Sequence, residues 1–110
     1  MKIDIILEAG LPAVRVEQLG QMAEAYGIQT LWVASFPSRR DPIPALALLS
    51  RCTSRLRLGT LPMSPWEVHP LRMADQLLTL NELSGGRAAI LVGGLGLSVT
   101  RVTGLEPLRR

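Results

Sequence analysis

The residues able to do chemistry are few, and most lie where a secondary-structure element should end. Gly93, Gly94 and Gly96 stand in the run Gly93-Gly94-Leu95-Gly96. With no side chains in the way, a planar cofactor could approach the backbone there. The run is not a dinucleotide fingerprint, because Val99 occupies the position of the third glycine and no helix signal follows. A plain strand-to-loop turn is the other reading. Glu8 ends an isoleucine-rich run and is a carboxylate placed at the tip of a strand. His69 is the single histidine. Without a second histidine or a cysteine cluster it does not make a metal site. It precedes Pro70 at a predicted helix start and reads as structural. Cys52, the lone cysteine, cannot form an internal disulfide, which fits a reducing cytoplasmic location. Arg39 and Arg40 are either solvated loop charges or contacts for an anionic substrate. Trp66, among prolines, is the tryptophan placed to touch a ligand or a partner chain, whereas Trp32 reads as packing.

The elements that would position these residues alternate along the chain. Met1–Leu7 predicts a strand, ended by Ala9-Gly10. Pro12 opens a helix with Leu19, Met22, Ala23 and Tyr26 at helical spacing, and Gly27 supplies a left-handed cap near Tyr26. Thr30–Ala34 is apolar almost throughout, as in a parallel strand covered on both faces. Asp41-Pro42 starts a second helix, since the carboxylate can accept from orphan amides and proline suits the first helical position. Leu46, Ala47, Leu49 and Cys52 form its inner side. Arg55–Thr60 alternates as a third strand, and Pro62, Pro65 and Pro70 mark an irregular connection. A third helix over Leu71–Leu83 presents Leu71, Ala74, Leu77 and Leu78, with Met73 and Leu80 on the flank, until Gly85-Gly86 stops it. Ala88–Val92 is a fourth strand running into the glycines.

The order is βαβαβαβ, an α/β fold with a parallel sheet of about four strands. Each crossover carries a helix, so connections should be right-handed. An open doubly wound sheet and a (β/α)₈ barrel both use this order, and the pattern admits either.

Composition narrows the function classes. The 110 residues are 47% apolar and 19% charged, enough for one modest core and unlike a disordered chain. No apolar run reaches the roughly 18 residues of a membrane span, and Met1-Lys2-Ile3-Asp4 does not begin a signal peptide. A net charge of +3 with only 4% aromatic residues is a poor match to a nucleic-acid binder.

Several stretches together carry a family likeness: Leu31-Trp32-Val33, Asp41-Pro42, Thr53 through Thr60, His69-Pro70, Thr79 through Arg87 and Val92 through Gly96. From Lys2 to about Gly96 the chain resembles the bacterial luciferase-like superfamily of FMN-dependent monooxygenases and coenzyme F420-dependent oxidoreductases. The resemblance implies the first three βα units and fourth strand of a (β/α)₈ barrel, a fold of roughly 250 residues. Residues 1–110 would then be an incomplete barrel.

It also implies a site at the carboxyl ends of the strands. The family's isoalloxazine or deazaflavin ring lies against a backbone bulge after the third strand, often with a cis peptide, and Leu61-Pro62 matches that position. An ordinary trans proline ending the strand is the plainer alternative. Cofactor contact is thus expected at Leu61, Pro62, Met63, Gly93 and Gly94, with Glu8 nearby. Many F420-dependent members carry an acid and a histidine after the second strand, where this chain has Ser35 and Phe36. The implied function is a flavin- or F420-dependent oxidoreductase or monooxygenase acting on a small organic substrate, with the catalytic residues unassigned. The rival is a non-catalytic, self-associating module, because four barrel strands leave two free edges and an uncovered face bearing Ile5, Trp32 or Val33, and Leu91, according to register. That geometry predicts a homo-oligomer. An open-sheet nucleotide binder is a third reading.

Overall fold

A computed structural model describes residues 2–36 and 39–93. The elements are β1 (Asp4–Leu7), α1 (Ala13–Ala25), β2 (Thr30–Ala34), α2 (Pro42–Cys52), β3 (Arg57–Met63), α3 (Pro70–Ser84) and β4 (Ala88–Val92). All strand pairs are parallel, in the order β1-β2-β3-β4. There is no reversal after the first strand, as a doubly wound sheet would require. Successive strands lie side by side, as they do in a barrel wall.

The three helices cover one face of the sheet. That face carries Ile5 and Leu7, Leu31 and Val33, and Leu58, which pack on Val16 and Ala23 of α1, Leu46 and Leu49 of α2 and Leu80 of α3. The opposite face has no cover among the described residues. Across it runs the register row Ile6, Trp32, Gly59, Ala89. Ile6 is 62% exposed and Leu91 is 54% exposed, so Ile6 replaces the expected Ile5 on the open side and Val33 turns inward.

Helix starts follow the expected chemistry. Asp41 accepts from the Ile43 amide at 3.0 Å, and His69 Nδ1 accepts from the Leu71 amide at 3.1 Å, each followed by a proline in the first turn. His69 is therefore a helix cap. Gly85 ends α3 at φ 68°, a left-handed conformation that glycine adopts without a Cβ penalty.

Two helical faces differ from the sequence reading. In α3 the buried residues are Met73, Leu80 and Ser84, whereas Leu71 is 72% and Leu78 is 67% exposed. Both stripes have helical spacing, so periodicity alone does not choose between them. Packing against α2 and β4 does. In α1 the buried residues are Val16, Gly20 and Ala23, while Met22 and Tyr26 are exposed. Gly20 is the reason: a Cβ there would lie 2.4 Å from Leu49 Cδ1, so α1 and α2 meet where α1 has no side chain.

Two charged groups fasten the amino-terminal end of the sheet. The Arg87 guanidinium donates to the carbonyls of Ser84 (2.6 Å), Leu56 (2.9 Å), Ser50 (2.9 Å) and Thr53 (3.0 Å), and to Thr53 Oγ1 (2.8 Å). The Glu24 carboxylate accepts from the backbone amides of Ser54, Arg55 and Leu56 at 2.8–3.1 Å. Burial alone would raise its pKa. The amide donors and the Arg87 charge outweigh that and hold the carboxyl below the usual glutamate range. A depressed folded-state pKa contributes stability above the ordinary value of about 4.3 and loses it as pH falls through the folded value. Glu24→Gln is expected to cost about 1–2 kcal/mol at pH 7. The gap to wild type should close in urea titrations as pH drops below about 4. A gap independent of pH would mean that the carboxylate charge is not what the amides hold.

Candidate functional site

At the carboxyl ends of the strands, β3 and β4 lose their regular pairing. Thr60 pairs with Ile90, but the next pair is Met63 with Val92, so β3 bulges between them. The Leu61–Pro62 peptide inside the bulge is cis. Two hydrogen bonds pin it from either side: the Ser35 amide donates to the Leu61 carbonyl at 2.9 Å, and the Gly93 amide donates to the Met63 carbonyl at 3.0 Å. Leu61, Pro62, Met63 and Gly93 are thus brought together. Gly93 fits because it has no side chain, since a Cβ would stand 2.9 Å from Pro62 Cβ. Gly94 lies outside the described residues.

Glu8 is exposed and sits one residue beyond β1. Two strand spacings, about 10 Å, separate that strand's line from β3, so Glu8 does not adjoin the bulge. The cluster holds backbone and apolar groups but no titratable side chain. Such a surface can seat and orient a planar ring and exclude water from one of its faces. It has no group of its own for moving protons, and Ser35 and Phe36 add none.

A separate cleft of about 220 Å³ opens at the same end, with Phe36, Arg39, Met63, Glu67 and Gln76 among its walls. Burial pushes the Glu67 carboxyl up. Sequence reasoning missed Glu67, which follows Trp66 in a loop with no distinguishing motif. Gln76 also borders a cleft of about 250 Å³ between α2 and α3, away from the strand ends, and its Oε1 is buried with no partner among the described residues. Arg40 is tied back by a 2.7 Å bond to the Gly10 carbonyl. Cys52 donates weakly to the Leu48 and Leu49 carbonyls, and burial followed by the Glu17 charge raises its thiol pKa, which disfavours the reactive thiolate. Trp66 is half-buried, its amide bound to Ser64 Oγ. Trp32, read from the sequence as packing, lies on the open face with its ring packed over Gly59. Among the described residues no group of three or more His, Cys, Asp or Glu could hold a metal, and no helix is long and apolar enough to cross a membrane.

The sequence model of the luciferase-like monooxygenases matches residues 3–108. The chain belongs to this family. Its relatives include the 5,10-methylenetetrahydromethanopterin reductase of Archaeoglobus fulgidus, 29% identical over the whole chain and 34% of that protein. The reductase of the same name from Methanopyrus kandleri is 32% identical over 72% of the chain and 23% of its own length. Among solved structures, the coenzyme F420-dependent tetrahydromethanopterin reductase of Methanopyrus kandleri superposes with a TM-score of 0.90 at 28% identity, covering 96% of this chain and 30% of that one. The oxygenating constituent of 3,6-diketocamphane monooxygenase from Pseudomonas putida, in complex with FMN, shares the fold with a TM-score of 0.81 at 16% identity. The chain spans about a quarter to a third of the length of the first of these luciferase-like relatives.

Proposed function

We propose that this chain supplies one wall of the cofactor site of an F420- or FMN-dependent oxidoreductase acting on a small organic substrate. The observation that carries this reading is the pinned bulge at Leu61–Met63, packed against a glycine at the carboxyl ends of parallel strands. The luciferase-like family and its F420-dependent reductases support a deazaflavin or flavin as occupant. Residues 1–110 act as the first part of a barrel in this reading. When bound, the ring supplies hydride transfer or, as reduced flavin, reaction with dioxygen. The protein's share is to hold the ring against the Leu61–Met63 backbone and to keep water from that face. Gly93 leaves the bulge undisturbed. The Leu61–Met63 cluster itself carries no group to shuttle a proton at the ring.

Incubation with FMN and separately with F420, followed by desalting and absorbance, tests the proposal. Wild type should retain one of the two. Gly93→Val should retain neither, because the new side chain must displace Pro62. Retention by neither protein rejects the cofactor reading, and equal retention by both removes Gly93 from the site.

The uncovered face favours a second reading, a module that self-associates. Parallel sheets are covered on both faces in folded proteins, yet Ile6 and Leu91 of the open face are exposed here. Light scattering on a dilution series of the 110-residue chain should show species larger than a monomer at micromolar concentration. A monomer that unfolds cooperatively would exclude it.

A further inference from the structure

We propose that Trp32 is the floor of the ring site, setting how deep a bound cofactor or substrate ring can enter from the carboxyl ends of the strands. This rests on the cofactor reading above. Trp32 occupies the centre of the open face, flanked by Ile6 on β1 and Gly59 on β3. Its ring spreads over Gly59, since a Cβ there would stand 2.6 Å from both Cε3 and Cζ3. Its Nε1 reaches toward Asp4 Oδ2 at 3.4 Å, a hydrogen bond that ties the polar edge of the indole to β1 on the same face.

The space above the indole is left open by a small residue on its own strand. Two positions further along β2, on the same face, stands Ala34, with only a methyl group. Ala34 pairs with Leu61, the first residue of the bulge. One side-chain row of a strand is about 7 Å, so a flat ring resting on the bulge and over Ala34 comes within stacking reach of the indole. At its own level across the sheet the indole already fills the gap that Gly59 leaves, with Ala89 next in the same row. A ring can therefore descend to Trp32 and no further. Indole is also a stacking partner for an electron-poor heterocycle, which makes the floor adhesive as well as a stop.

Tryptophan emission provides a readout that does not depend on turnover. The chain has two tryptophans, Trp32 and Trp66. FMN and F420 are titrated in turn into wild type, Trp32→Phe and Trp66→Phe, with retention after desalting measured in parallel. The expected result is strong quenching in wild type and Trp66→Phe, and loss of most quenching in Trp32→Phe, which still retains cofactor. Trp32→Ala should weaken binding tenfold or more, while Trp32→Phe stays within threefold. Retained cofactor with quenching that survives in Trp32→Phe overturns the floor assignment and leaves the cofactor reading intact. Retention by no variant and no wild type overturns both. Should Trp32→Ala fail to fold by circular dichroism, the Trp66→Phe titration still decides, because it leaves Trp32 untouched.

Discussion

Replacing Arg87 with alanine is expected to lower folding stability by about 3–5 kcal/mol, since several charge-assisted bonds of about 1.5–3 kcal/mol each are lost non-additively. That is a large share of the roughly 5–15 kcal/mol available to a domain. Its donors serve carbonyls at the carboxyl-terminal ends of α2 and α3 and the approach to β3, where a cation is also favoured by the helix dipoles. Without it those acceptors lose their partners in a part-buried setting. Arg87→Lys keeps the charge, but an ammonium has three donors and no planar fork, so it should recover less than half of the loss. Urea unfolding followed by circular dichroism measures both variants. An Arg87→Ala midpoint equal to wild type would show that the network contributes nothing to folding.

The second large effect is expected at Gly20. A Cβ there would lie 2.4 and 2.5 Å from the two terminal carbons of Leu49, a fully buried residue. Gly20→Ala gains roughly 1 kcal/mol of helix propensity, which offsets part of an overpacking cost of about 1–3 kcal/mol. Gly20→Val brings a larger side chain with little of that gain, and should cost about 3 kcal/mol. Leu49→Ala alone should cost about 2–5 kcal/mol by leaving a cavity. The double variant Gly20→Val with Leu49→Ala should lose less than the sum of the two, by about 1–2 kcal/mol, because one side chain fills what the other vacates. Strict additivity would mean that α1 and α2 do not meet at this point.

Several features of the candidate site are legible in one dimension. Proline after Leu61, beyond the alternating third strand, and glycine after the apolar run Ala88–Val92 stand on both sides of the bulge, which the family resemblance placed there. His69-Pro70 and Asp41-Pro42 announce their helices, because capping is local chemistry between neighbouring residues. Arg87 and Glu24 carry no such mark. Their partners lie about thirty residues away in sequence, from Ser50 to Leu56, and any surface arginine or glutamate looks the same along a chain. Glu67 escapes for a related reason, since the other walls of its cleft, such as Phe36 and Gln76, come from distant parts of the chain.

Spacing and local conformational preference were enough to specify the strand–helix alternation, the parallel sense of the strands and the positions of the turns. Spacing also gave the inner side of α2, at Leu46, Ala47, Leu49 and Cys52, but for α1, α3 and β1 the inward side came only from packing. Helix α3 has apolar residues on two faces, and contact with α2 and β4 selected the Met73–Leu80–Ser84 stripe over Leu71 and Leu78. Strand β1 has adjacent isoleucines, and its register with β2 sent Ile5 to the helices and Ile6 to the open side. Trp32 followed the same rule. A strand apolar on both faces does not state which face is which, and the partner strand's register settles it, since a shift of one residue turns every side chain over.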